Sequence, residues 1–134
     1  MNLVLDASAG FELVLETSRG QSLLAQLPAS PEWWVPEHYL LETAAALRRA
    51  ANIGAVTVAQ ASDGFQRLVA GKLHRVQVRP LLSESWNRRG HLTIADALYV
   101  VLAEQLGATL VTADLNLAAS PGLAVPTITP VTQP

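Results

Sequence analysis

The sequence predicts an α/β layer fold on a mostly parallel central sheet, and three observations lead there. Short apolar, β-branched runs alternate with longer stretches of helical periodicity along the whole chain. Half of the 134 residues are hydrophobic and only 15% are charged, which suits a packed core rather than disorder. No internal repeat, low-complexity block or long linker interrupts the chain, so a single domain over 1–134 is expected.

The elements follow in order. Residues 2–5 read as a buried strand and 7–16 as a helix. A short helix over 20–27 ends at the proline-bounded stretch 28–31, and 33–35 form a strand. Pro36 suits the first turn of a long helix over 37–52, with Gly54 beyond its end. Residues 57–69 have helical spacing closed by Gly71, and 74–78 alternate as a strand up to Pro80. A short helix over 83–89 stops at Gly90, and a strongly apolar helix over 93–106 stops at Gly107. A buried strand over 109–112, a helical turn at 114–119 and an edge strand over 124–128, interrupted by Pro126, complete a core of about 2–128. The tail 129–134, TPVTQP, is expected to fray.

Composition excludes several kinds of chemistry. There is no cysteine, hence no disulfide, thiolate nucleophile or cysteine-ligated zinc. The N-terminus MNLVLDASAG lacks the basic residues of a signal peptide, and the longest apolar run, 97–103, is too short to span a bilayer. A soluble, cytoplasmic protein without a membrane role is expected. Net charge is −2 but unevenly spread. Residues 1–47 hold Arg19 against six acids, and 90–134 hold three acids with no Lys or Arg. Residues 48–89 carry the other eight basic residues against Asp63 and Glu84, a surplus of +6. A basic middle between acidic ends is compatible with phosphate contacts near a carboxylate cluster, and equally with a solvated helical surface.

Four acids stand out. Ligands of an open parallel sheet gather outside the carboxyl ends of its strands. Asp6 directly follows the first strand and Asp114 follows the strand over 109–112. Asp96 lies in the first turn of its helix, and Glu42 lies in the helix after the strand over 33–35; if those helices start at the same edge, all four can converge there. Each also has a local explanation. Asp6 and Asp114 can cap the helices that follow them, Asp96 has capping-box spacing from Thr93, and Glu42 can pair with His38. Their neighbours argue for more: LVLDASA, YLLETAAAL, TIADALYVVLA and TLVTAD surround each carboxylate with apolar side chains. Such a group is neutralised, paired or metal-bound, and the one lysine, Lys72, is distant in sequence from all four. Oxygen ligands without cysteine or paired histidines favour Mg2+ or Mn2+ over zinc.

These blocks, LVLDASA, LLETAAALRR and LTIADALYVVLAEQLGATLVTAD, resemble in order and spacing the PIN-domain VapC toxins of toxin–antitoxin pairs, over residues 3 to about 125. The resemblance implies a three-layer PIN-like domain with four or five mostly parallel strands flanked by helices. It places Asp6, Glu42, Asp96 and Asp114 on the family's four acidic, metal-holding positions. Ser8 and Thr112 fall on hydroxyl positions that orient ligands, though local turn hydrogen bonds explain them as well. Asn116 stands where some relatives carry a further acid, and Arg88 and Arg89 resemble basic residues near the substrate groove, or simply end a surface helix. Also implied are an RNA substrate, with tRNA and rRNA as candidates, a VapB-like antitoxin, and a homodimer, for which Trp33, Trp34 and the helices at 37–70 offer surface.

The implied reaction is metal-dependent hydrolysis of an RNA phosphodiester to a 5′-phosphate and a 3′-hydroxyl. Two other readings compete. An aspartyl-phosphate domain would use Asp6 as nucleophile, but a dehalogenase-type phosphatase wants an aspartate where Ser8 stands, and no lysine follows Lys72. A catalytically silent PIN-fold binding module would not need four acids. DNA cleavage is a further variant, for which the short chain lacks an added helical clamp.

Overall fold

The computed structural model describes residues 1–131. Its elements run β1 (Asn2–Leu5), α1 (Ala7–Val14), α2 (Ser18–Ala25), β2 (Glu32–Pro36), α3 (His38–Asn52), α4 (Val58–Ala70) and β3 (His74–Val76). A 3-10 turn (Arg79–Leu81) then leads into α5 (Leu82–Asn87), α6 (Ile94–Leu106), β4 (Thr109–Val111), α7 (Leu115–Ala118) and β5 (Thr127–Ile128).

All strand pairs are parallel, and the five-stranded order is β3-β2-β1-β4-β5. This is the α/β architecture expected, at the upper of the two strand counts. Strands β1, β2 and β3 are laid outward in one direction, and β4 and β5 in the other. Because crossovers are right-handed, that reversal puts the connecting helices on opposite faces. Helices α1 to α4 pack on one another, while α6 packs on β1, β2 and β4 together with α5. Covered on both sides, β1 and β4 bury Leu3, Val4, Leu110 and Val111 completely.

The reversal between β1 and β4 leaves a crevice at their carboxyl ends, where such sheets bind ligands. Register brings the right residues there. Leu5 lies beside Val111, and the Asp6 amide donates to the Val111 carbonyl at 3.1 Å. Asp6 and Thr112 therefore leave the sheet side by side.

Helix α6 is apolar nearly all round, with residues 97–103 buried in succession, as befits a helix enclosed by protein. The Thr93 hydroxyl caps its start by accepting from the Asp96 amide, and Gly107, at φ +60°, ends it in the left-handed region. These caps set where Asp96 sits.

Three local expectations differ. Pro36 does not open α3: it ends β2 opposite Val76, and the Glu37 amide donates to the Val76 carbonyl at 2.8 Å before the helix begins. The strand expected over 74–78 stops at Val76, because Val78 instead accepts the bond that forms the turn holding Pro80. The edge strand shrinks to Thr127–Ile128, since Pro126 has no N–H and contributes only its carbonyl, to Leu110 at 2.9 Å. Of the tail expected to fray, Thr129 accepts from Gln26 and the Val131 amide donates to Ser22, both on or beside α2. Residues 132–134 lie outside the described residues.

Candidate active site

Asp6 is the most enclosed of the four acids, 3% exposed, and both its oxygens are occupied. Oδ1 accepts from the Ala9 amide at 2.9 Å, the N-capping bond of α1, and from Ser8 Oγ at 2.7 Å. Oδ2 accepts from the fully buried Thr112 hydroxyl. Thr112 Oγ1 in turn accepts from the Asp114 amide at 3.0 Å, and Ser8 Oγ accepts from the Ala113 amide at 3.0 Å. Ser8 and Thr112 thus stitch the end of β1 to the loop after β4.

Asp114 caps α7, its Oδ1 accepting from the Asn116 and Leu117 amides at 3.0 and 3.2 Å. Its Oδ2 accepts nothing from the described residues. Glu42 takes up both the expected pairing and a new one: Oε1 lies 3.4 Å from His38 Nε2 and accepts from the Tyr99 hydroxyl at 2.6 Å. Asp96, half-buried, stands one turn before Tyr99 on α6. The local explanations of the acids are therefore real, but they do not scatter the acids. All four line one open cleft of about 500 Å3 at the β1/β4 crevice, with Arg19 and Arg49 on its rim.

Charge in this cleft is uncomfortable. Burial pushes the Asp6 carboxyl up to about 6, against the opposing bonds from Thr112, Ala9 and Ser8, and the charge of Asp96 adds to the rise. Asp96 is also raised, first by burial and then by Asp114 and Glu42, with Thr93 and His38 working the other way. Mutual repulsion across the cleft is what a bound cation relieves. The donor set, carboxylates with hydroxyls and no sulfur, fits a hard, oxygen-liganded ion, and Glu42 and Asp114 each keep an oxygen without a donor among the described residues. As posed, no three His, Asp or Glu groups among the described residues stand close enough to enclose an ion. Side-chain rotation would have to complete the ligation.

The remaining expected residues lie elsewhere. Asn116 is exposed and meets Asp114 through its main-chain amide. Arg88 is paired with Glu104 across α5 and α6, and Arg89 donates to the Trp86 carbonyl with its guanidinium 4.6 Å over the Trp86 ring. Neither lines the cleft. Sequence reasoning missed the cations that do. Arg19 donates to the Ala113 carbonyl at 2.8 Å, bringing α2 against the loop that carries Asp114. The signal was its isolation as the one basic residue among six acids in 1–47. Arg49 gave no such signal. A larger groove of about 850 Å3 runs along α4 and the starts of β2 and β3, but Glu32 is the single acid on it, so the carboxylate chemistry belongs to the smaller cleft.

Comparison with known proteins identifies the family. Residues 3–122 match the PIN domain family. The chain is 37% identical to Ribonuclease VapC3 of Mycobacterium tuberculosis over 116 residues, 87% of this chain and 85% of that protein. It is 32% identical to Ribonuclease VapC12 of the same organism over 120 residues, 90% and 92% of the two chains. Among solved structures, the fold superposes on Mycobacterium tuberculosis VapC20, described as a Sarcin-Ricin loop cleaving toxin, with a TM-score of 0.67 at 17% identity, covering 91% of this chain and 96% of that one. It also superposes on VapBC2 from Rickettsia felis, solved with a promoter DNA fragment, with a TM-score of 0.63 at 14% identity, covering 98% and 100%. The chain belongs to the PIN-domain family and, within it, to the VapC ribonucleases.

Proposed function

We propose that this protein is a metal-dependent endoribonuclease, the toxin of a type II toxin–antitoxin pair, and that Asp6, Glu42, Asp96 and Asp114 form its catalytic centre. The observation that carries the reading is the meeting of four carboxylates from four separate segments in one cleft at the sheet's reversal point. These acids would hold Mg2+ or Mn2+, which would supply charge neutralisation and a lowered pKa for a water nucleophile.

The chain's own residues do the rest. Asp6 is a fixed point, oriented by Ser8, Thr112 and the start of α1. Asp96 and Glu42 bring carboxylates from helices, Glu42 with one oxygen already held, and Asp114 brings an oxygen that accepts nothing from the described residues. Arg19 and Arg49 offer positive charge to the RNA phosphates, which offsets the approach of an anion to an acidic cleft. Such a cleft suits single-stranded or looped RNA rather than a duplex groove, and structured loops of tRNA or rRNA are the substrates we would test first.

A VapB-like antitoxin and a homodimeric toxin are part of the same proposal. Structural neighbours include a toxin–antitoxin complex from Klebsiella pneumoniae and VapBC-1 from nontypeable Haemophilus influenzae, with TM-scores of 0.60 and 0.55. We read the chain as one domain acting in the cytoplasm; no helix among the described residues is long and apolar enough to cross a membrane.

The deciding experiment is cleavage of total cellular RNA by partner-free protein with Mg2+ or Mn2+, against chelator. Asp6→Ala and Asp96→Ala are expected to lower the rate by more than about 100-fold, the upper range for losing even an outer partner of a metal ligand. Both should retain the wild-type circular dichroism spectrum. Discrete fragments bearing 5′-phosphates are expected. Full activity in both variants would sink the assignment of these acids to the catalytic centre, and no activity in well-folded wild type would move the reading to a silent binding module.

A further inference from the structure

Glu42 and Asp96 reach the cleft on different helices, so their spacing depends on how α3 and α6 are tied at their first turns. Two side chains make that tie. Tyr99, one turn after Asp96 and 1% exposed, donates its hydroxyl to Glu42 Oε1 at 2.6 Å. His38, one turn before Glu42, places Nε2 3.1 Å from the Ala95 carbonyl oxygen and 3.4 Å from the same Glu42 oxygen. The His38 and Tyr99 rings pack with centroids 4.7 Å apart.

Phenylalanine would fill the Tyr99 position equally well as core. A buried hydroxyl needs an acceptor, and this one is given an acid of the cleft rather than a main-chain carbonyl. Both contacts converge on Oε1. Oε2 accepts nothing from the described residues.

We infer that Tyr99 and His38 are positioning residues that clasp Glu42 by one oxygen beside Asp96 and leave its other oxygen to ligate a divalent cation. The inference rests on the metal-dependent reading above. A clasped glutamate has already lost the rotamer freedom that ligation would otherwise take from it, so the clasp raises affinity for the ion. Partners of this kind act on metal affinity by about 10-fold to 100-fold when removed.

The test is calorimetric titration of the full-length protein with Mn2+ alone, without RNA. Tyr99→Phe is expected to weaken Mn2+ binding by about 10-fold. It should raise the Mn2+ needed for RNA cleavage while leaving the rate at saturating Mn2+ near that of wild type. In a Glu42→Gln background the same change should have no further effect on Mn2+ affinity, because the clasped carboxylate is gone. A merely structural role would lower thermal stability without this dependence on Glu42. If Tyr99→Phe does not fold, His38→Leu, which cuts the other half of the clasp, carries the same expectation. Unchanged Mn2+ affinity, an effect that persists without Glu42, or no Mn2+ binding by wild type overturns the inference. If Mn2+ binding follows the expected pattern while no protein cleaves RNA, the clasp stands and the nuclease reading falls.

Discussion

Asp6 and the pair Glu42 and Asp96 share a cleft but are held in opposite ways. Asp6 hangs from the end of the central strand, nearly sealed from solvent, with every oxygen bonded to its own chain. Glu42 and Asp96 ride on helix turns, partly open to solvent, and Glu42 meets its partners through one oxygen. The strand side is preorganised at the expense of burying a charge, whereas on the helix side Glu42 is held by one oxygen only. On the proposed metal-dependent reading, a site that accepts a cation and an anionic substrate in turn has use for both.

The sharpest way to separate the two sides is pH. With metal chelated, an Asp6 carboxyl near 3.8 in the unfolded chain and about 6 in the fold binds its proton more tightly when folded. Its protonation therefore stabilises the fold fully below about pH 4, and that contribution is lost as pH rises through about 6. The difference amounts to about 3 kcal/mol. Urea denaturation of the metal-free protein should show this falling stability between those limits, superimposed on the other groups. Asp6→Asn should flatten it and be more stable than wild type at pH 7.5 by up to about 3 kcal/mol, while losing cleavage. Identical pH profiles in the two proteins would clear Asp6 of the effect and erase the contrast drawn above.

A smaller effect is expected from the hydroxyl that supports Asp6. Thr112→Val keeps the volume but leaves a buried carboxylate oxygen without its donor and the Asp114 amide without its acceptor. Destabilisation of about 2 kcal/mol follows from unsatisfied buried groups. Ser8→Ala should cost less, since Ser8 is only half-buried and Thr112 continues to hold the other oxygen. Thermal melts at pH 7.5 check the order. Equal losses would mean that Asp6 is held mainly by the start of α1.

This strand side was also the legible side. An acid directly after an apolar strand, and a second acid two residues after another strand, locate themselves once the sheet is parallel, because the sheet register is regular over those few residues. Gly107 and Thr93 marked the ends of α6 for reasons of backbone geometry alone. The helix side was legible only in part: Glu42, Asp96 and the His38 pairing could be picked out, but not how the two helices meet. That Glu42 meets Tyr99, 57 residues later in the chain, depends on how α3 and α6 pack, and no local periodicity encodes it. The basic stretch misled in part for the same reason. Arg88 resembled the family's basic residues near the substrate groove, but at the end of α5 it pairs with Glu104. Pro36 misled because a proline fits a first helical turn and a strand end equally well, and pairing with β3 decided between them.

The smallest effect concerns that basic stretch. Arg49, exposed on the last turn of α3, lines the cleft and has no partner among the described residues, whereas Arg88 is committed to Glu104. Arg49→Gln is expected to raise KM for an RNA substrate by about 3-fold with kcat unchanged, as removal of one phosphate contact should. The slope of log affinity against log salt should fall by about 0.7, the share of one contact to single-stranded nucleic acid. Arg88→Gln should leave KM and that slope alone and instead loosen α5 from α6. A reversal, with Arg88 carrying the salt dependence and Arg49 none, would move the RNA path off the cleft rim and onto the α5–α6 surface. The acids would then be approached from the side of Asp96 rather than from the end of α3.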